Sequence, residues 1–264
     1  MPREQGTAPP VRAARDDPWR AADPRPPEPP VAVLLHGLGM NGASWGPVVA
    51  SFDPRWETLA PDLPWGIIDD RSGRPLLDAP EILLARVLDR MPRPPSLVVA
   101  HSFAAAALLQ LVSGRSASAP TCPLVLVAPL LPQPGRADGE AVLERFRHVI
   151  REGVKVRLGR RTTRIPSSLV DLMVAKILDA VPPDVPAACA AAAQRLAQAP
   201  LERVLAPVLL LGGAADPAAP LQSVQALADR LPRGVASTPI GAGHFCHLEN
   251  PQRLIEAIGT AALH

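Results

Sequence analysis

The chain predicts an α/β fold, a mostly parallel sheet flanked by helices with a helical insertion in its second half. Short apolar runs at Val31–Leu35, Pro123–Ala128 and Val208–Leu211 are continuous, not alternating, as strands buried on both faces of a parallel sheet must be. Segments of helical period separate them. Gln133–Ala206 is far too long for a simple crossover and holds three helical stretches of its own.

At 264 residues and 47% hydrophobic, the chain can bury one sizeable core. It has no 18-residue apolar run, so no membrane helix is expected. A formal net charge of +2 argues for neither a nucleic-acid nor a membrane partner. Cys122, Cys189 and Cys246 have no metal-ligand spacing and read as reduced, buried thiols. Neither a metal nor an organic cofactor is signalled.

Residues 1–30 hold nine prolines, five arginines and five acids with almost no aliphatic side chains, so a disordered tail is expected. The tail lacks the apolar core of a secretory signal, which points to a cytoplasmic protein. Val31–Leu35 is the first strand and runs into the glycine-rich turn His36-Gly37-Leu38-Gly39. Ser44–Ser51 reads as a short helix, Thr58–Ala60 as a strand ending before Asp62, and Leu77–Met91 as a helix with leucines at helical spacing. Ser96–Leu111 (SLVVAHSFAAAALLQL) is a strand, a tight turn of small residues and a helix. Ser102 sits at the tip of that turn, where strained backbone exposes the hydroxyl above a helix N-terminus. His101 projects to the opposite side of the strand and reads as a packing histidine.

Within the insertion, Glu140–Leu158, Ser167–Ala180 and Ala187–Leu205 have helical periodicity. Strand Val208–Leu211 leads through Gly212-Gly213 to Asp216, helix Leu221–Leu231 follows, and a last strand lies near Val235–Ile240. Asp216 could cap the following helix or serve as a catalytic acid. Gly241-Ala242-Gly243-His244 puts a histidine on a loop. His247 is its rival, but it leads into Asn250-Pro251, which has the form of a helix start.

The A-H-S-F-A turn around Ser102, the strand and His-Gly loop of Val31–Trp45, and the strand ends at Val208–Pro220 and Ile240–Pro251 together resemble the α/β-hydrolase family. The usual turn is G-x-S-x-G, and here Ala100 and Ala104 replace both glycines. The resemblance implies an α/β-hydrolase core over 31–132 and 207–264 with a helical cap over 133–206. It also implies a Ser102, His244, Asp216 triad and an oxyanion hole from the N–H groups of Leu38 and Phe103. His36, Gly37 and Met40 would then border the substrate. Asp62 matches a loop-bracing position, and the two strands that usually open the family have no counterpart in the tail.

The expected activity is serine-dependent hydrolysis of an ester or thioester through an acyl-enzyme. Acyl elimination or acyl transfer on the same fold, and a catalytically silent ligand-binding scaffold, are the alternatives. From Arg145 to Arg164 the insertion holds eight cations against the single acid Glu152. That run is either a solvated face or a grip for an anionic or carrier-bound acyl substrate, with Arg157, Arg160 and Arg161 as its candidate contacts.

Overall fold

The computed structural model describes residues 28–65, 79–114, 116–131, 139–180, 185–237 and 239–261. All but the last three residues of the expected tail lie outside these. Where the chain enters, Arg93 pairs with Glu28, donates to the Pro29 carbonyl and pairs with Glu57.

Six parallel strands form one sheet: β1 (Val31–Leu35), β2 (Glu57–Leu59), β3 (Leu97–His101), β4 (Leu124–Val127), β5 (Val208–Leu211) and β6 (Gly234–Ala236), in the order β2-β1-β3-β4-β5-β6. The four central strands are buried along their whole length, as their unbroken Val and Leu runs require. The edges are half-exposed and carry the polar or small residues Glu57, Thr58 and Gly234. Among the described residues no strand precedes β1, and the segment expected to lack the family's two opening strands lies almost wholly outside them.

From β1 the chain steps outward to β2, then crosses back to β3 and continues the other way. The reversal leaves a crevice beyond the carboxyl ends of β1 and β3, where ligands bind in open parallel sheets. On one side α1 (Gly46–Val49) packs with α9 (Pro251–Ala261); on the other α2 (Pro80–Leu88) packs with α3 (Phe103–Ser113).

Between β4 and β5 lie α4 (Gly139–Leu158), a 3₁₀ turn (Gly159–Arg164), α5 (Ser167–Ala180) and α6 (Val185–Gln198). Val154, Val170 and Val174, with Ile150 and Met173, make a small core of their own between α4 and α5. On α6, Cys189, Ala192 and Leu196 face inward where this helix packs on the alanine-rich α3. α6 ends at Gln198, seven residues short of the sequence expectation, because Pro200 lacks an N–H and disfavours helical backbone at Ala199. β6 is likewise shorter than expected. Ser237 and Ile240 still donate to Leu210 and Gly212, but Pro239 between them cannot. The Ser44–Ser51 helix is a 3₁₀ turn (Gly42–Trp45) running into α1. α7 (Leu221–Asp229) and α8 (Cys246–Glu249) complete the chain.

Candidate active site

Ser102 links β3 to α3 with φ 53° and ψ −114°, a conformation that L side chains rarely adopt. Its N–H is anchored to the Val127 carbonyl at 3.0 Å, and its own carbonyl accepts from Leu130 at 3.1 Å and Ala105 at 3.1 Å. The bond to Val127, from the adjacent strand, holds the strained residue in place. Ala100 and Ala104, two residues either side, are fully buried, so this turn accommodates a methyl where glycine is usual.

Asp216 and His244 meet because their loops are joined through backbone. Ala214 and Ala215 donate to the carbonyls of Gly241 and Ala242 at 2.9 and 2.8 Å. A Cβ on Gly213 would lie 2.2 Å from the Gly243 carbonyl oxygen, so only glycine permits this approach. His244 Nδ1–H donates to Asp216 Oδ2 at 2.8 Å, and Ser102 Oγ lies 2.9 Å from His244 Nε2. Asp216 Oδ1 also accepts from the Ala218 N–H at 2.8 Å, a bond within its own loop; α7 (Leu221–Asp229) has Pro220 at its N-cap and no side-chain cap, so Asp216 does not fill the helix-capping role foreseen for it. Burial alone would raise its carboxyl pKa. The hydrogen bond and charge of His244, with the Ala218 and Ala219 N–H groups, hold it below the usual carboxylate range.

Two carboxylates that sequence reasoning passed over fix the histidine loop from outside. Glu249 accepts from the N–H groups of Ala242 (2.7 Å) and Gly243 (3.1 Å), and Glu152 of α4 accepts from the His244 N–H at 2.8 Å. Glu152 had one sequence signal, as the lone acid in the basic run. His101 Nε2–H donates to the His244 carbonyl at 3.0 Å, with its ring behind the serine. His247 is buried against Trp45 and His101 at centroid distances of 4.8 and 4.3 Å and makes no contact with Ser102. Burial and the neighbouring His244 push the His247 pKa down to about 3. Burial also takes His101 well below its ordinary value.

Leu38 and Phe103 line the same cavity as Ser102, and neither N–H group has an acceptor among the described residues. Gly37 itself lies close against the turn: a Cβ there would be 2.8 Å from His101 Nδ1 and 3.3 Å from Ser102 Cβ. Asp62 braces this loop through the Gly42 N–H at 2.8 Å.

A cavity of about 950 Å³ opens over Ser102, lined by Gly37, Leu38, Met40 and Phe103 below and by α4, Lys176, Ile177 and α6 above. His36 does not line it, contrary to expectation. Its Nδ1–H donates to the Gly37 carbonyl at 2.9 Å and its Nε2 accepts from the Leu63 N–H at 2.9 Å, so the ring is fully committed to bracing the loop. Of the three arginines singled out, only Arg157 reaches the cavity. α4 stops at Leu158, and Gly159, with φ 52°, turns the chain so that Arg160 and Arg161 border a separate surface recess. Arg145 and Lys176 are cavity cations that sequence reasoning did not single out.

The model of the alpha/beta hydrolase family matches residues 32–257. The chain belongs to this family. No curated protein matches it in sequence. Similar solved structures share the hydrolase fold at low identity. A bromoperoxidase from Bacillus anthracis has TM-score 0.64 and 16% identity, over 89% of this chain and 92% of that one. A thermophilic esterase from Thermogutta terrifontis has TM-score 0.60 and 20% identity, over 89% of each chain. An esterase from Rhodococcus sp. ECU1013 has TM-score 0.60 and 18% identity, over 88% and 89%. Among the described residues no helix is long and apolar enough to cross a membrane, and no group of His, Cys, Asp or Glu is arranged to hold a metal.

Proposed function

We propose that this family member is a serine hydrolase of carboxylic esters or thioesters, with Ser102, His244 and Asp216 as its triad and α4–α6 as a cap over the acyl pocket. The unbroken hydrogen-bond chain from Ser102 Oγ through His244 to Asp216, at 2.9 and 2.8 Å, carries the reading. Ser102 Oγ attacks the acyl carbon while His244 Nε2 takes its proton. The oxyanion faces the Leu38 and Phe103 N–H groups, each such donor being worth roughly 3–4 kcal/mol in the transition state. Collapse expels the alcohol or thiol, which leaves with the proton from Nε2. Water then repeats the sequence on the acyl-enzyme, releasing the acid and restoring Ser102. Asp216 holds the tautomer with Nδ1–H and stabilises the imidazolium.

Product analysis with a panel of p-nitrophenyl esters and acyl thioesters tests this. Stoichiometric release of free acid, lost in Ser102→Ala, is expected. Acyl transfer to a non-water acceptor, an eliminated product, or full turnover by Ser102→Ala would overturn it.

A further inference from the structure

The cavity over Ser102 is lined by three cations, Arg145, Arg157 and Lys176, and by no Asp or Glu among the described residues. At about 100° per residue, its contacts on α4 fall on one half of the helix circumference. Arginines on the other half are neutralised: Arg147 pairs with Glu144 at 3.4 Å and Arg151 pairs with Asp171 of α5. Arg145, Arg157 and Lys176 make no ion pair or hydrogen bond among the described residues. Pairing thus separates the arginines of α4 by face, while Lys155, on the far half, is exposed and has no ion pair among the described residues. Between the cations the wall is apolar, with Phe146, Val149, Ile150 and Ile177 facing the same space. Arg157 and Lys176 are exposed and Arg145 half-buried, so the charge stands at the mouth while the interior is greasy.

Building on the ester or thioester reading above, we infer that the substrate is amphipathic: an aliphatic acyl compound carrying an anionic group remote from the reacting carbonyl. The apolar wall takes the chain and Arg145, Arg157 and Lys176 hold the anion. Unpaired cations at the rim of a low-dielectric cleft focus field onto an incoming carboxylate or phosphate, and arginine grips either one bidentately. The anion can belong to the acyl half, as a terminal carboxylate, or to the leaving half, as the phosphates of a coenzyme A thioester.

The test compares two pairs of compounds, monoethyl with diethyl suberate and octanoyl-coenzyme A with octanoyl-N-acetylcysteamine. KM is measured on the native chain, on Arg145→Gln/Arg157→Gln/Lys176→Gln, and on Arg147→Gln/Lys155→Gln/Arg164→Gln, which removes equal charge off the cavity. Affinity for the same compounds is measured by calorimetry on Ser102→Ala with and without each triple. The anionic member of at least one pair should be favoured about tenfold, an advantage that salt weakens. That advantage should vanish in the cavity triple and persist in the other. The first pair responding places the anion on the acyl half, and the second on the leaving group. Equal values within both pairs, or equal losses in both triples, would overturn the inference. Calorimetric preference without hydrolysis of any compound would instead sink the ester reading and leave the anion site standing.

Discussion

Replacing Ser102 by glycine should leave a more stable protein than replacing it by alanine. Both changes delete the hydroxyl and its 2.9 Å contact with His244 Nε2, so that loss cancels in the comparison. The difference is the Cβ, on a residue with φ 53° and ψ −114°. A side chain in such a conformation costs of order 1–3 kcal/mol. Against the relief stands the extra chain entropy that glycine loses on folding, roughly 0.5–1 kcal/mol. The net gain of the glycine variant is therefore about 1 kcal/mol, or about 2–4 °C in melting temperature for a chain of this length. Denaturant unfolding of the two variants side by side reads it. If Ser102→Ala were the more stable by about 1 kcal/mol, as at an ordinary position, the elbow would not be strained and its presentation of the hydroxyl would need another explanation.

Ser102→Ala and His244→Ala should each lower kcat by on the order of 10⁶, with the double variant little worse than either, whereas His247→Gln keeps kcat within a few-fold; steady-state assays on all four decide which histidine works with the serine. Glu152→Ala removes the acceptor of the His244 N–H. A charge-assisted bond is worth roughly 1.5–3 kcal/mol, so kcat should drop on the order of tenfold, and Glu152→Gln, which keeps an acceptor oxygen, should recover most of it. Equal losses in the two Glu152 variants would place the effect in the carboxylate charge and not in the hydrogen bond. Because His247 is held down to about 3, and burial lowers His101 in the same direction, the unfolded chain binds more protons than the folded one between about pH 3 and the ordinary histidine value of 6.5. Folding stability should thus fall as pH drops, by about 1 kcal/mol between pH 6 and 5 from His247, with His101 acting in the same direction. Urea unfolding at both pH values measures this, and a flat profile would mean that the histidines titrate normally.

The strand ends that bear Ser102, Asp216 and His244 were legible because unbroken apolar runs such as Val31–Leu35 and Val208–Leu211 are costly anywhere but in a buried sheet. What distinguished side chains on the same loop was not legible. His36 and Gly37 are adjacent, yet the histidine turns inward because Leu63, 27 residues on, supplies a donor for its ring. The basic run reads as uniform along the chain, and only the helix phase of α4 and the left-handed Gly159 separate Arg157 from Arg160 and Arg161. Glu152 reaches the His244 N–H across 92 positions, a pairing that no local pattern announces.

The account stands most directly on Ser102 as a nucleophile that becomes covalently attached to the acyl group. Intact-mass measurement after treatment with an alkyl fluorophosphonate, followed by peptide mapping, tests it. The expected result is one phosphonyl adduct per chain, mapped to Ser102, formed in step with loss of esterase activity and absent from Ser102→Ala. Full esterase activity in a protein that takes up no label at Ser102 would contradict the account.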